Sequence, residues 1–229
     1  MASGKKHPVI STFFFNTHHH RDHTAGNFFL KKYADTIVAQ ENCPKFQEKQ
    51  NKGTENEKMQ VYADMTFKNQ WQRELGKENI NVQYLGPAHT GGDSIIYFEK
   101  ANIAHLGDLV FNGVYPFIDL PGGGSIKGWI DVLEKASQIY PEDTLYIFGH
   151  AAEENDVVGK KADLLKMKDY LSALLEYVKK ELDGGKSIDE IKKSQAIPGF
   201  EHLKENRPNA LATNIQNAYD ELKGSSSKN

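Results

Sequence analysis

Hydrophobic positions change their period several times along the chain. Val9 to Asn16 is an apolar run rich in aromatic and β-branched residues, and it predicts a buried strand. Thr24 to Tyr33 predicts a short helix with Phe28, Phe29 and Tyr33 on its apolar face, and Thr36 to Ala39 a second strand. Pro44 sits where a helix start tolerates proline, and the polar stretch to Lys58 reads as surface helix and loop. Short apolar runs bounded by turn residues predict strands at Asn81–Leu85, Ser94–Phe98 and Asn102–Leu106. Ser125 to Tyr140 has helical spacing at Ile126, Ile130, Leu133 and Ala136, and Leu145 to Phe148 is another buried strand. The last third is helical. Leu164, Met167, Leu171, Leu174, Val178 and Leu182 form one stripe that stops at Gly184-Gly185. Ser187 and Glu190 fit a capping box, and Leu211, Ile215, Tyr219 and Leu222 share a face beyond Pro208. Strands alternating with helices predict an α/β layered fold.

The 229 residues suit a single domain over 1–223, followed by a Gly/Ser/Lys-rich tail at 224–229 expected to be disordered. A hydrophobic share of 38% with 26% charged residues is that of a soluble globular protein. No run approaches the roughly 20 apolar residues that span a bilayer, so no membrane partner is expected. The net charge of -3 argues against a nucleic-acid partner. A single cysteine, Cys43, excludes a disulfide within the chain. Met1 to Lys6 has two lysines but no apolar stretch after them, so no signal peptide is read there; Met1 to Gly4 looks like an expression remnant.

His18, His20, Asp22 and His23 fall within six residues at a strand end. On an extended segment His18 and His20 point the same way, and a turn would bring Asp22 and His23 back to the same place. Such a loop can give two imidazoles to one metal and an Asp-His pair to another. His89, Asp108 and His150 each follow a predicted strand, where loops converge on one rim of a sheet. His19 and Arg21 point away from that side and read as supporting or solvated groups. His7, His105 and His202 read as structural or surface histidines. Asp93 and Thr90 either orient His89 or cap its loop. Gly122-Gly123-Gly124 reads as a flexible edge of the site. Tyr115, Phe117 and Trp129 line a pocket or fill the core. Pairs such as Lys179-Lys180 and Lys192-Lys193 are solvated helix faces.

The run Asn16-Thr17-His18-His19-His20-Arg21-Asp22-His23-Thr24-Ala25-Gly26-Asn27 resembles the HxHxDH motif of the metallo-β-lactamase superfamily. Pro87-Ala88-His89-Thr90-Gly91-Gly92-Asp93 resembles its second histidine motif, Gly107-Asp108-Leu109-Val110-Phe111 its bridging aspartate, and Phe148-Gly149-His150 its last histidine. The resemblance implies an αβ/βα sandwich with a C-terminal helical tail. It implies that His18, His20 and His89 hold one zinc ion and that Asp22, His23 and His150 hold a second, with Asp108 bridging; iron or manganese are the alternative metals. The implied activity is hydrolysis of an ester, thioester, lactone or lactam in a small molecule by metal-activated water, with Asp22 or Asp108 in proton transfer. The tail is similar to a bacterial branch labelled quinoprotein-relay or SoxH-like. Asp108 where the best-known zinc β-lactamases have Cys, and Thr24 where another class has a further His, speak against a dedicated β-lactamase. Members usually carry about 50 residues of strands and a helix before the first motif, far more than an ordinary lead-in. With 17 residues before His18, the sandwich is expected to be N-terminally incomplete. Exposed sheet edges would then favour a homo-oligomer, or an inactive chain serving as an assembly module. Relatives imply a periplasmic or secreted location, while the missing leader keeps a cytoplasmic one open.

Overall fold

The computed structural model describes residues 12–226. Strand β1 (Phe13–Asn16) runs into the short helices α1 (Arg21–Thr24) and α2 (Asn27–Leu30), then β2 (Thr36–Gln40), α3 (Asn42–Asn51) and β3 (Met65–Phe67). Four strands follow: β4 (Gln70–Leu75), β5 (Glu78–Gln83), β6 (Ile95–Phe98) and β7 (Ile103–His105). The two-residue β8 (Phe111–Asn112) precedes α4 (Ile126–Ile139) and β9 (Leu145–Ile147). The chain ends with β10 (His150–Ala151), β11 (Val158–Gly159), α5 (Lys161–Asp183), α6 (Ile188–Ile191) and α7 (Ala210–Ser226).

The larger sheet has the order β11-β9-β7-β6-β5-β4, and a three-stranded parallel sheet has the order β1-β2-β3. Side chains alternate across a strand, so each strand of the larger sheet serves two layers. On β6, Ile96 meets Val38 and Phe67 of the smaller sheet with Ile80 and Val82. Its neighbour Ile95 points the other way, into a core with Ala104, Tyr146, Trp129, Leu133, Leu164 and Leu171. Two sheets therefore face each other, and α4, α5 and α7 cover the outer face of the larger one. The α5 stripe of Leu164, Met167, Leu171, Leu174 and Val178 is buried, as its spacing predicts, and the Ser187–Glu190 capping box is formed. Among the described residues, no helix is long and apolar enough to cross a membrane.

Several expectations need correction. The helix expected over Thr24–Tyr33 is two four-residue helices. Phe28, Phe29 and Tyr33 are 48%, 64% and 64% exposed, so they are not a buried face. The side that turns inward carries Asn27, whose amide exchanges hydrogen bonds with Asn16 and donates to Val61 O. A polar clasp thus sets the rotation of α2. In α3, Cys43, Gln47 and Asn51 are buried, so the segment is not wholly a surface one. Helix α7 continues through Gly224 to Ser226, into the stretch whose composition suggests a disordered tail. His7, the start of the first predicted strand, Met1 to Lys6 and residues 227–229 lie outside the described residues.

Candidate metal centre

Strands β5, β6 and β7 are successively antiparallel and β9 runs parallel to β7, so β5, β7 and β9 end on one rim. The segments that follow those ends carry His89, Asp108 and, at the start of β10, His150. The facing sheet supplies the rest, since β1 ends at Asn16 and α1 turns Asp22 and His23 back toward His18 and His20. Asn16 Nδ2 donates to His23 O at 2.9 Å, which holds that turn to the strand it left. Two glycines permit the close approach. Gly107 has φ +53°, and a Cβ there would lie 2.7 Å from Thr17 Cβ; a Cβ on Gly149 would lie 2.0 Å from Asp108 Oδ1.

The seven sequence-predicted ligands fall into two groups that share Asp108: His18, His20, His89 and Asp108, and Asp22, His23, Asp108 and His150. In the first, His20 Nδ1 lies 3.0 Å from both His18 Nε2 and His89 Nε2. The opposite ring nitrogens are spoken for. His20 Nε2 faces Asp119 Oδ2 at 2.9 Å and His89 Nδ1 faces Phe117 O at 2.6 Å. A carboxylate and a carbonyl only accept, so both rings carry their proton there and present a bare nitrogen inward. Two bare nitrogens 3.0 Å apart cannot bond each other, which is the arrangement a cation between them requires. Burial lowers His89 to a pKa of about 3 and holds His18 well below its ordinary value, so these two rings are neutral and ready to ligate.

The second group is more open and charged. Asp22 and His150 are 58% and 38% exposed, against 3% for Asp108. His150 Nε2 lies 3.3 Å from Asp22 Oδ2 and 3.2 Å from Asp108 Oδ2, and His23 Nε2 lies 3.1 Å from Asp108 Oδ1. Contacts with Asp108 and Asp22 raise His150 to about 10. Burial opposes charge on His23, but the same two carboxylates outweigh it and raise that pKa to about 9. The imidazoliums of His150 and His23 in turn hold Asp22 well below the carboxylate range. Burial alone would raise Asp108, yet those imidazoliums keep it low as well. Asp108 Oδ1 is buried and has no well-angled donor although His23 Nε2 is so near. Carboxylate oxygens and imidazole nitrogens that converge on one point fit a divalent cation. His23 and His150 would have to lose their protons to hold a cation here, so its affinity would rise with pH.

Thr17 joins the two groups. Its Oγ1 lies 3.1 Å from both His18 Nδ1 and His23 Nδ1. One hydroxyl has two lone pairs, enough to accept from both rings when each turns a bare Nε2 inward.

Asp119 is the group that sequence reading missed. It receives His20 Nε2, lies 3.3 Å from His19 Nε2 and takes Gly122 N on its other oxygen. His19 is thus buried behind His20 as a supporting group, as its place in the extended segment implies. Gly122 to Gly124 is no loose edge, because a Cβ on Gly122 would meet Asp119 Oδ2 at 2.0 Å. Asp93 caps its own loop through Thr90 N and Thr90 Oγ1, each at 2.7 Å, and does not orient His89. Trp129 and Tyr115 fill the core, and Trp129 Nε1 donates to Leu109 O. Phe117 is 38% exposed and borders a cleft of about 330 Å³ over the second group, with Gln50, Phe111, Asn206 and Arg207.

A sequence profile described as the Metallo-beta-lactamase superfamily matches residues 15–150. "Metallo-beta-lactamase type 2" of Elizabethkingia meningoseptica is 22% identical over 143 residues, 58% of this chain and 51% of that protein. "Metallo-beta-lactamase IND-1" of Chryseobacterium indologenes is 25% identical over 148 residues, 64% of this chain and 58% of that protein. The chain spans about half the length of these curated relatives. A solved metallo-beta-lactamase from Pontibacter korlensis superposes with TM-score 0.58 and 20% identity over 70% of this chain and 69% of its own. A double mutant of the sec-alkyl sulfatase PisA1 superposes with TM-score 0.68 and 14% identity over 95% of this chain and 42% of its own, which extends the likeness in fold to the C-terminal helices.

Proposed function

The chain belongs to the metallo-beta-lactamase superfamily, and from that premise we propose that it is a zinc-dependent hydrolase with two metal positions, acting on an ester, thioester, lactone or lactam bond of a small molecule. Members of this superfamily related to it are metal-dependent hydrolases. The observation that carries the reading is the pair of ligand groups joined by Asp108 at the floor of an open cleft.

When bound, such a pair of cations supplies Lewis acidity and makes a water molecule acidic near neutral pH. His18, His20 and His89 would hold one ion, and Asp22, His23 and His150 the other, with Asp108 between them. The nitrogen-rich donor set suits zinc. Asp119, Phe117 O and Thr17 fix the imidazole tautomers, so the rings need no reorganisation as charge develops. Asp22, the most exposed carboxylate of the set, would accept a proton and pass it to solvent. Phe111 stacks on His150 at 5.0 Å and 12°, which fixes that ring and gives the cleft an apolar wall.

The test is turnover by zinc-loaded, folded protein on a panel of chromogenic esters, thioesters and lactones, repeated with a chelator. Chelator-sensitive turnover of one of them is expected. A loaded, folded sample that cleaves none of them refutes the reading. A second reading takes the lactam to be a β-lactam, as the names of the two curated relatives suggest. Nitrocefin cleavage lost on chelation and in His89→Ala supports it, and the absence of cleavage removes it.

A further inference from the structure

One group at the cleft has no part in metal binding. Arg207, in the loop before α7, donates from Nη2 to Pro116 O at 2.6 Å and from Nη1 to Tyr115 O at 3.3 Å and Asn206 Oδ1 at 3.1 Å. Its guanidinium carbon sits 5.1 Å from the centroid of the Phe117 ring. That same ring lies 5.3 Å from the His20 ring and 6.1 Å from the His89 ring. A single aromatic ring therefore separates the cation from the first ligand group.

All three acceptors of Arg207 are neutral. The adjacent Glu205 is committed to the N-terminus of α7, where its oxygens accept from Ala210 N and Leu211 N. A guanidinium has five N–H donors. Three are used, and among the described residues Nε–H and the second Nη2 hydrogen have no acceptor. A guanidinium with free N–H donors can grip a carboxylate through them. A half-buried guanidinium whose hydrogen-bond acceptors are all neutral has lost hydration, and burial pulls its pKa down; the Glu205 carboxylate acts on it only through space and is not one of those acceptors. The tethers to two backbone carbonyls hold its plane, so an arriving anion finds the fork already oriented. Arg21, the other cation at the cleft, is exposed on α1. The nearby carboxylates of Asp22 and Asp108 are the ones assigned to the cations.

We propose that Arg207 is a specificity-determining residue that recognises a carboxylate on the substrate, a few bonds from the carbonyl to be attacked. This rests on the hydrolase reading, and names its substrate class as anionic acyl compounds. The test compares two esters with the same leaving group, p-nitrophenyl acetate and mono-p-nitrophenyl glutarate, on the zinc-loaded full chain. Wild type is expected to favour the glutarate ester in kcat/KM. In Arg207→Met the ratio of the two kcat/KM values falls about 10–100-fold, chiefly through KM, and Arg207→Lys falls between the two. A ratio that does not change, or a loss shared equally by both esters, overturns the proposal. A second measurement separates this from failure of the hydrolase reading. Glutarate itself is titrated calorimetrically into zinc-loaded wild type and Arg207→Met of matched zinc content. Even if neither ester turns over, binding weakened about tenfold in the variant sustains the carboxylate site, and equal binding rejects it.

Discussion

Replacing Thr17 by valine keeps the shape of a buried, β-branched side chain and removes one oxygen. That oxygen lies 3.1 Å from a ring nitrogen of each ligand group. Its loss leaves the Nδ1–H of His18 and of His23 without an acceptor in a position where Thr17 itself is 6% exposed. A buried donor left unpaired costs about 1–3 kcal/mol, or roughly 5–150-fold in an equilibrium constant. Each ring can escape that cost by moving its proton to Nε2, the atom that faces the metal position. Either way both positions weaken, and about 10–100-fold at each is the expected size for the loss of a supporting hydrogen bond. The assay is competition for zinc against a chromophoric chelator, with both dissociation constants resolved, on wild type, Thr17→Val and Thr17→Ser. Serine restores the hydroxyl and most of the affinity. Gly107→Ala, whose Cβ would lie 2.8 Å from Thr17 Oγ1, reproduces the valine effect from across the loop. Wild-type affinity at both positions in Thr17→Val, or weakening at one alone, would refute the shared hydroxyl.

Asp119→Ala strips His20 of its carboxylate partner, and about 10–100-fold weaker binding of one zinc with the other nearly unchanged is expected from the same titration. Burial raises Asp93 to about 8, against an ordinary carboxyl near 4 when unfolded. A raised folded pKa means that its contribution to stability is fully present below pH ~4 and is lost as pH rises through ~8. Denaturant titrations of wild type and Asp93→Asn should therefore diverge across that window by up to about 1.4 kcal/mol per pH unit, and parallel curves would contradict the assignment. Zinc at a hundred times its dissociation constant adds about 2.7 kcal/mol per site to the folded state. Removing it with a chelator should lower the melting temperature by about 5–10 °C for each site emptied, and an unchanged melting curve would speak against a metal centre in the folded chain.

The clustering of the seven residues was legible because His18, His20, Asp22 and His23 share one short, chemically distinctive run and His89, Asp108 and His150 follow strand ends. The helices of the last third were legible because their stripes are long and regular. Asp119 was not, since the contact that gives it meaning reaches 99 residues back to His20. Arg207 escaped for the same reason, its partners being 91 and 92 residues away. Strand β4, Gln70 to Leu75, is mostly polar and lies at the edge of its sheet, so no alternation of apolar residues marks it. The aromatic residues of α2 misled in the other direction. Their spacing is helical, but the Asn16–Asn27 clasp, invisible in hydropathy, turns them outward.

The two ligand groups differ in depth, and depth sets time as well as affinity. His18, His20 and His89 are at most 7% exposed, while Asp22 and His150 stand 58% and 38% open to the cleft. An ion in the outer group can leave by giving up its ligands one at a time to water, without any movement of the core. An ion held by the inner group would be more enclosed, since of its three histidines His20 alone lines the cleft. If both groups take an ion, the deeper one should give it up more slowly, with two separate rates in a stopped-flow chelation trace. With metal scarce, such a difference would favour chains filled at the inner group alone, and refilling them would require only the outer, more exposed position.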